Sequence, residues 1–187
     1  MNRRLNVCRS RAGFAALALC GAFLSTSAFA TPGIKVQEEA ANDGPIKYTV
    51  KMASKTFGNE QETRTIRSGQ TDDFTWQSAA PGGAQPVPDD CPNVASLARN
   101  AEGAAVRQVQ IRFASVVADN GSANVQLSFQ ARAPKGTSKV TVGGKALQCP
   151  VETRLSQIVR FTMPTTGGSK MVTLSDGTQL TVSASRK

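Results

Sequence analysis

"VRQVQIRFASVVADNGSANVQLSFQARA" spans residues 106–133, and its reading decides the fold. The first half places Val109, Ile111 and Phe113 on one side of an extended chain, with Gln110 and Arg112 on the other. The second half repeats the pattern: Val125, Leu127, Phe129 and Ala131 alternate with Gln126, Ser128, Gln130 and Arg132. Such period-two alternation marks a strand that is buried on one face and wet on the other. Between the halves stands Asn120-Gly121, and Asn-Gly between alternating runs is the strongest short-range hairpin signal.

The same period runs through most of the chain from residue 46 onward. "IKYTVKMA" (46–53) puts Ile46, Tyr48, Val50 and Met52 on one face. "ETRTIRSGQTDDFTWQ" (62–77) reads as two short segments turning at Gly69, the second carrying Phe74 and Trp76. "SKVTV" (138–142) reads as a short strand ended by Gly143-Gly144, and "RLSQIVRFTM" (154–163) offers Leu155, Val159, Phe161 and Met163. "MVTL" and "QLTVSA" flank "SDGT" (175–178), a second Asp-Gly hairpin. The breaker-rich "SAAPGGAQPVPDD" (78–90) reads as a loop. One helical candidate exists, "VASLARNAEGAA" (94–105), which is short and interrupted by Gly103. The expectation is an all-β chain: an antiparallel β-sandwich, or a partly closed barrel, of about eight or nine strands with at most one short helix.

The first thirty residues read differently. Arg3, Arg4, Arg9 and Arg11 precede an uncharged apolar run of about 13 residues, and "STSAFA" ends with Ala28 and Ala30 at the −3 and −1 positions of a cleavage site. These are the parts of a secretory signal of bacterial style, too short an apolar run to span a bilayer as a helix. Export by a Gram-negative cell to the periplasm or the outside is expected, with cleavage after Ala30. Two rival readings are weaker: Leu19 precedes Cys20 where a lipoprotein box calls for a small residue, and nothing calls for twin-arginine export of a cofactor-bearing protein. Residues 31–45 lack a core pattern beyond Ile34 and Val36 and read as a leader; 46–187 read as one domain. Cleavage would remove four of the 22 basic residues and none of the 13 acidic ones, lowering the net charge from +9 to +5.

Beyond the signal the chain keeps Cys91 and Cys149, each followed by proline. In an oxidising compartment a disulfide is the default reading, and the expected fold carries this one bridge. No Cys-x-x-Cys pair supports redox work, and a chain with no histidine lacks the usual zinc ligands. The absence of histidine also removes the commonest general base and the serine triad. No nucleophile elbow, Ser-x-x-Lys, dinucleotide fingerprint or P-loop occurs, so no cofactor, metal or catalytic residue is assigned. Carboxylates are the remaining catalytic route. Asp72-Asp73 and Asp89-Asp90 are adjacent, however, which on a strand sends the two side chains to opposite faces, and both pairs sit beside turn signals.

"IKYTVKMASKTFG", "TIRSGQTDDFTW" and the two Cys-Pro steps together resemble uncharacterised exported single-domain proteins of Burkholderia-type proteobacteria. The resemblance implies export and one disulfide-bearing domain, and it brings no active-site motif.

The outward residues of the central hairpin form the candidate site. Gln110, Arg112, Gln130 and Arg132, extended by Arg154 and Arg160, make a Gln/Arg-rich sheet face with few acids. Its plain reading is a solvated face, as antiparallel sheets commonly have. Its functional reading is a platform for an envelope polysaccharide or an acidic protein, because guanidinium and amide groups suit oxyanions and hydroxyls. Trp76 reads first as a core anchor beside Phe74, with sugar stacking as its alternative role. Nucleic acid is not expected as a partner at +5 without interleaved aromatics. The resulting expectation is a non-enzymatic exported binding module. The alternatives are a pilin-like assembly subunit that donates its leader strand, and a small carbohydrate hydrolase using two of Glu60, Glu62, Asp72, Asp73 and Glu152.

Overall fold

The computed structural model describes residues 44–80 and 82–186. The segment 1–30 read as a signal, with Cys20, and residues 31–43 of the segment read as a leader, with Ile34 and Val36, lie outside the described residues. Nine strands follow in order: β1 (Ile46–Ser54), β2 (Gly58–Ile66), β3 (Thr71–Ala79), β4 (Gln85–Pro86), β5 (Ala104–Val117), β6 (Ser122–Val142), β7 (Lys145–Pro164), β8 (Thr166–Thr173) and β9 (Gln179–Arg186). They form two antiparallel sheets, one ordered β2-β1-β9-β8 and the other β3-β5-β6-β7 with the two-residue β4 paired to β5. The all-β sandwich is therefore observed, with the two sheets separate rather than closed into a barrel.

Alternation explains the core. Tyr48, Val50 and Met52 of β1 and Leu180 and Val182 of β9 face Val109, Ile111 and Phe113 of β5 and Leu127 and Phe129 of β6, in one buried cluster. Tyr48 and Phe113 stack across the sheets with centroids 4.2 Å apart, and Phe57 meets Phe129 edge-on at 6.1 Å. Both Gly-signalled hairpins form where the sequence places them, with Gly121 and Gly177 at positive φ. The turn at Gly69 does more than expected: β2 and β3 belong to different sheets, so this turn crosses the sandwich instead of closing a hairpin.

Two strands depart from the sequence reading. The segment 138–142 is not a separate strand, because β6 runs unbroken from Ser122 to Val142 and only bulges between Pro134 and Gly136. The bulge lies beyond Gln108↔Arg132, the last β5–β6 rung, so Pro134 interrupts β6 where β7 is its only neighbour. β7 likewise begins at Lys145, before the Cys-Pro step. The helical candidate forms as the short element expected, one 3₁₀ turn at Val94–Ser96, while Ala104 and Ala105 enter β5. Among the described residues no helix is long and apolar enough to cross a membrane.

Candidate functional site

Cross-strand partners share a face, so the register assembles the outer surface of the five-stranded sheet row by row. One row runs Thr75–Gln110–Gln130–Ser156 from β3 to β7, and the next Gln77–Gln108–Arg132–Arg154. The following row in the opposite direction is Asp73–Arg112–Ser128–Ile158. Gln108, Gln110, Gln130, Arg132, Arg154 and Ser156 line an open concavity of about 490 Å³. The structure thus brings Gln110, Gln130 and Arg132 together, and adds Gln108 and Ser156. Those two follow the same alternation, two positions before Gln110 and two after Arg154, and parity alone would have found them.

The remaining candidates lie elsewhere. Arg112 is one row away, with its Nε 3.8 Å from Asp73. Arg160 donates to Gln126 Oε1 at 2.8 Å. Trp76 pairs with Val109, whose side chain is in the core, so the indole sits on the inner face of the sheet, half-buried beside Phe74 at 5.3 Å. It does not share a surface with the Gln/Arg platform.

One end of the platform is roofed by the segment after the disulfide. Cys91 and Cys149 are bonded, and Asn93 Nδ2 donates to the carbonyl of Pro150 at 3.0 Å. Arg132 then donates to the Ser96 carbonyl at 2.9 Å, and Arg154 reaches the Ser96 hydroxyl at 3.3 Å. Arg154 also makes two bonds to Glu152 Oε2. The other oxygen of Glu152, Oε1, accepts from the Ala98 amide at 3.2 Å. The two arginines are thereby held in place, and Glu152 is turned away from the concavity toward the loop.

The acids have separate fates. Asp72 points inward, accepting from the Tyr48 hydroxyl at 2.8 Å and from Arg64 at 3.3 Å. Asp73 points outward, as adjacent strand residues must. Arg64 also lies 3.3 Å from Glu62 and 5.2 Å from the centroid of the Phe74 ring, so it joins two carboxylates at the sandwich edge. Burial, then the hydrogen bond it donates to Asp72, pushes the Tyr48 phenol far above its usual range. Among the described residues no group of three or more His, Cys, Asp or Glu side chains could hold a metal ion.

Comparison with the curated proteins gives no significant match, and neither does comparison with the solved structures. A family model, by contrast, matches residues 1–186. The chain belongs to that family, a family of unknown function designated DUF6013.

Proposed function

We propose that this protein is a non-catalytic binding module, exported across the inner membrane, whose outer five-stranded face takes an anionic, hydroxyl-rich polymer. The observation that carries the reading is the make-up of one concavity. Three carboxamides (Gln108, Gln110 and Gln130), two guanidinium groups (Arg132 and Arg154) and the Ser156 hydroxyl converge there without a carboxylate in the lining. Carboxamides satisfy hydroxyls as both donor and acceptor, while guanidinium forks suit carboxylates and sulfates. An acidic envelope polysaccharide offers both group types along one chain; an acidic protein offers fewer hydroxyls. Both arginines are already oriented by Ser96, which lowers the ordering cost of binding.

Export is supported by the signal-like first thirty residues and by a disulfide, which persists in oxidising compartments. The non-enzymatic reading is supported by the commitment of Asp72 to Tyr48 and Arg64 and of Glu152 to Arg154 and Ala98.

The test is a glycan array followed by titration of the best acidic polysaccharide against the native chain and a Gln110→Ala/Gln130→Ala variant. These two side chains are exposed, so the variant should melt like the native protein while binding falls by about tenfold. Undiminished affinity in the variant would move the site off this face.

A further inference from the structure

The β6–β7 hairpin is longer than the sheet that supports it. β5 pairs with β6 only as far as Gln108↔Arg132, while the β6–β7 ladder continues to Val142↔Lys145. Past the bulge, residues 136–142 and 145–151 form a two-stranded ribbon about 23 Å long at strand rise. A two-stranded ribbon is marginal in water on its own. This one is fastened at its base, where Cys149 is bonded to Cys91 and Asn93 holds the Pro150 carbonyl. It ends in a tight turn with Gly143 and Gly144 both at positive φ.

Its composition is specific. Residues 135–151 contain Lys135, Lys139 and Lys145 and no acid, and all three lysines are exposed. Near the tip Val140 stands opposite Leu147, and Val142, on the same face two residues on, is 36% exposed. Lysines alone would suit any soluble polyanion. Lysines beside an exposed Val142, backed by the half-buried pair Val140 and Leu147 at the ribbon's tip, suit a surface with phosphates outside and hydrocarbon beneath.

We propose that this arm docks the protein onto an anionic lipid bilayer, with Lys139 and Lys145 at the headgroup phosphates and Val142, Val140 and Leu147 entering the interface. The site is distinct from the sheet concavity and does not depend on what binds there.

The test is co-sedimentation of the purified, oxidised protein with vesicles of phosphatidylglycerol and phosphatidylcholine, against vesicles of phosphatidylcholine alone. Native protein should partition onto the anionic vesicles, less so as salt rises. Lys139→Glu/Lys145→Glu should lower the partition by about tenfold or more. Val142→Ser/Leu147→Ser should lower it several-fold, with both variants keeping the native melting temperature. If a charge-reversed variant fails to fold, Lys139→Ala/Lys145→Ala takes its place. Three results would overturn the proposal: no binding to anionic vesicles, equal binding to neutral ones, or a Val/Leu variant that binds like the native chain while dextran sulfate competes fully. The last would assign the lysines to soluble polyanions.

Discussion

Tyr48 and Asp72 tie the two sheets together: the phenol on β1 donates a 2.8 Å hydrogen bond to a carboxylate on β3. Arg64 on β2 holds the other oxygen of the same carboxylate at 3.3 Å. The bridge sits beside the stacked pair Tyr48–Phe113, so one side chain supplies both an aromatic contact and the polar link between layers.

Replacing Tyr48 by phenylalanine keeps the stack and removes the link. A hydrogen bond to a charged partner contributes about 1.5–3 kcal/mol, and urea unfolding at neutral pH should show a loss in that range. The pH dependence follows from the raised phenol pKa. Its contribution is complete below the unfolded value of about 10; above it the unfolded chain releases the proton while the folded chain keeps it. Stability therefore falls as pH rises past about 10, by about 1.4 kcal/mol per pH unit from this group. The chain has one tyrosine, so tyrosinate absorbance reports it alone. Tyrosinate should form only with unfolding, and Tyr48→Phe should flatten the alkaline slope. Reversible ionisation near pH 10 in the folded protein would contradict this.

What could be read in the sequence was what alternation encodes. The inward sets of β1, β5 and β6 are the observed core, because period two fixes the face of every residue once one is known. The face of Gln110 and Gln130 followed from the same parity, and Gln108 and Ser156 obey it too. What could not be read was pairing. Nothing local says that β2 and β3 belong to different layers, or that the strand interrupted at Pro134 resumes after a bulge. For the same reason Trp76 could be placed beside Phe74 but not on the inner side of the platform sheet. The loop that orients Arg132 and Arg154 rests on contacts 36 to 58 residues apart, which no short window contains.

The disulfide closes a long loop, with Cys91 and Cys149 separated by 58 positions. On the chain-entropy model it contributes about 4 kcal/mol. A Cys91→Ser/Cys149→Ser variant should lose a large part of that in urea unfolding. Its local signature should be sharper, because the bond anchors the ribbon rather than the core. Amide exchange should quicken in residues 136–151 well before β1 or β9 is affected. Uniform loss of protection would mean that the bond stabilises the fold without bracing the arm.

Gly168 is the third residue of β8, just past the crossing from β7. A Cβ there would run into the ring of Pro164, and Gly168 is not among the glycines held at positive φ, so the constraint is space and not conformation. Gly168→Ala should cost about 1–3 kcal/mol through overpacking at this corner. Gly167, the bulged neighbour at φ +84, meets nothing within 4 Å, so Gly167→Ala carries backbone strain without a clash. A variant with both Gly168→Ala and Pro164→Ala relieves the clash and should recover most of the loss in a thermal melt. No recovery would place the cost elsewhere.

Glu152 is the hinge of the roof over the platform. Its side chain is 4% exposed, and its two oxygens are divided between the Ala98 amide and Arg154. Glu152→Ala leaves a backbone donor and a guanidinium without their acceptor, a loss of about 1–3 kcal/mol. Glu152→Gln keeps an acceptor for Ala98 but turns its NH2 group toward the guanidinium, giving up the charge attraction and the two hydrogen bonds from Arg154. That side chain is 60% exposed, so solvent screening keeps the cost to about 1 kcal/mol or less. The two variants should therefore separate in amide exchange: the Ala98 amide stays protected in the glutamine variant and exchanges freely in the alanine one. Binding follows the same division if the roof orients the arginines. The glutamine variant should retain polysaccharide affinity, and the alanine variant should lose it as Ser96 drifts from Arg132 and Arg154. Equal affinity in both would mean that the arginines find the ligand unaided, and that the roof serves only the stability of the ribbon beneath it.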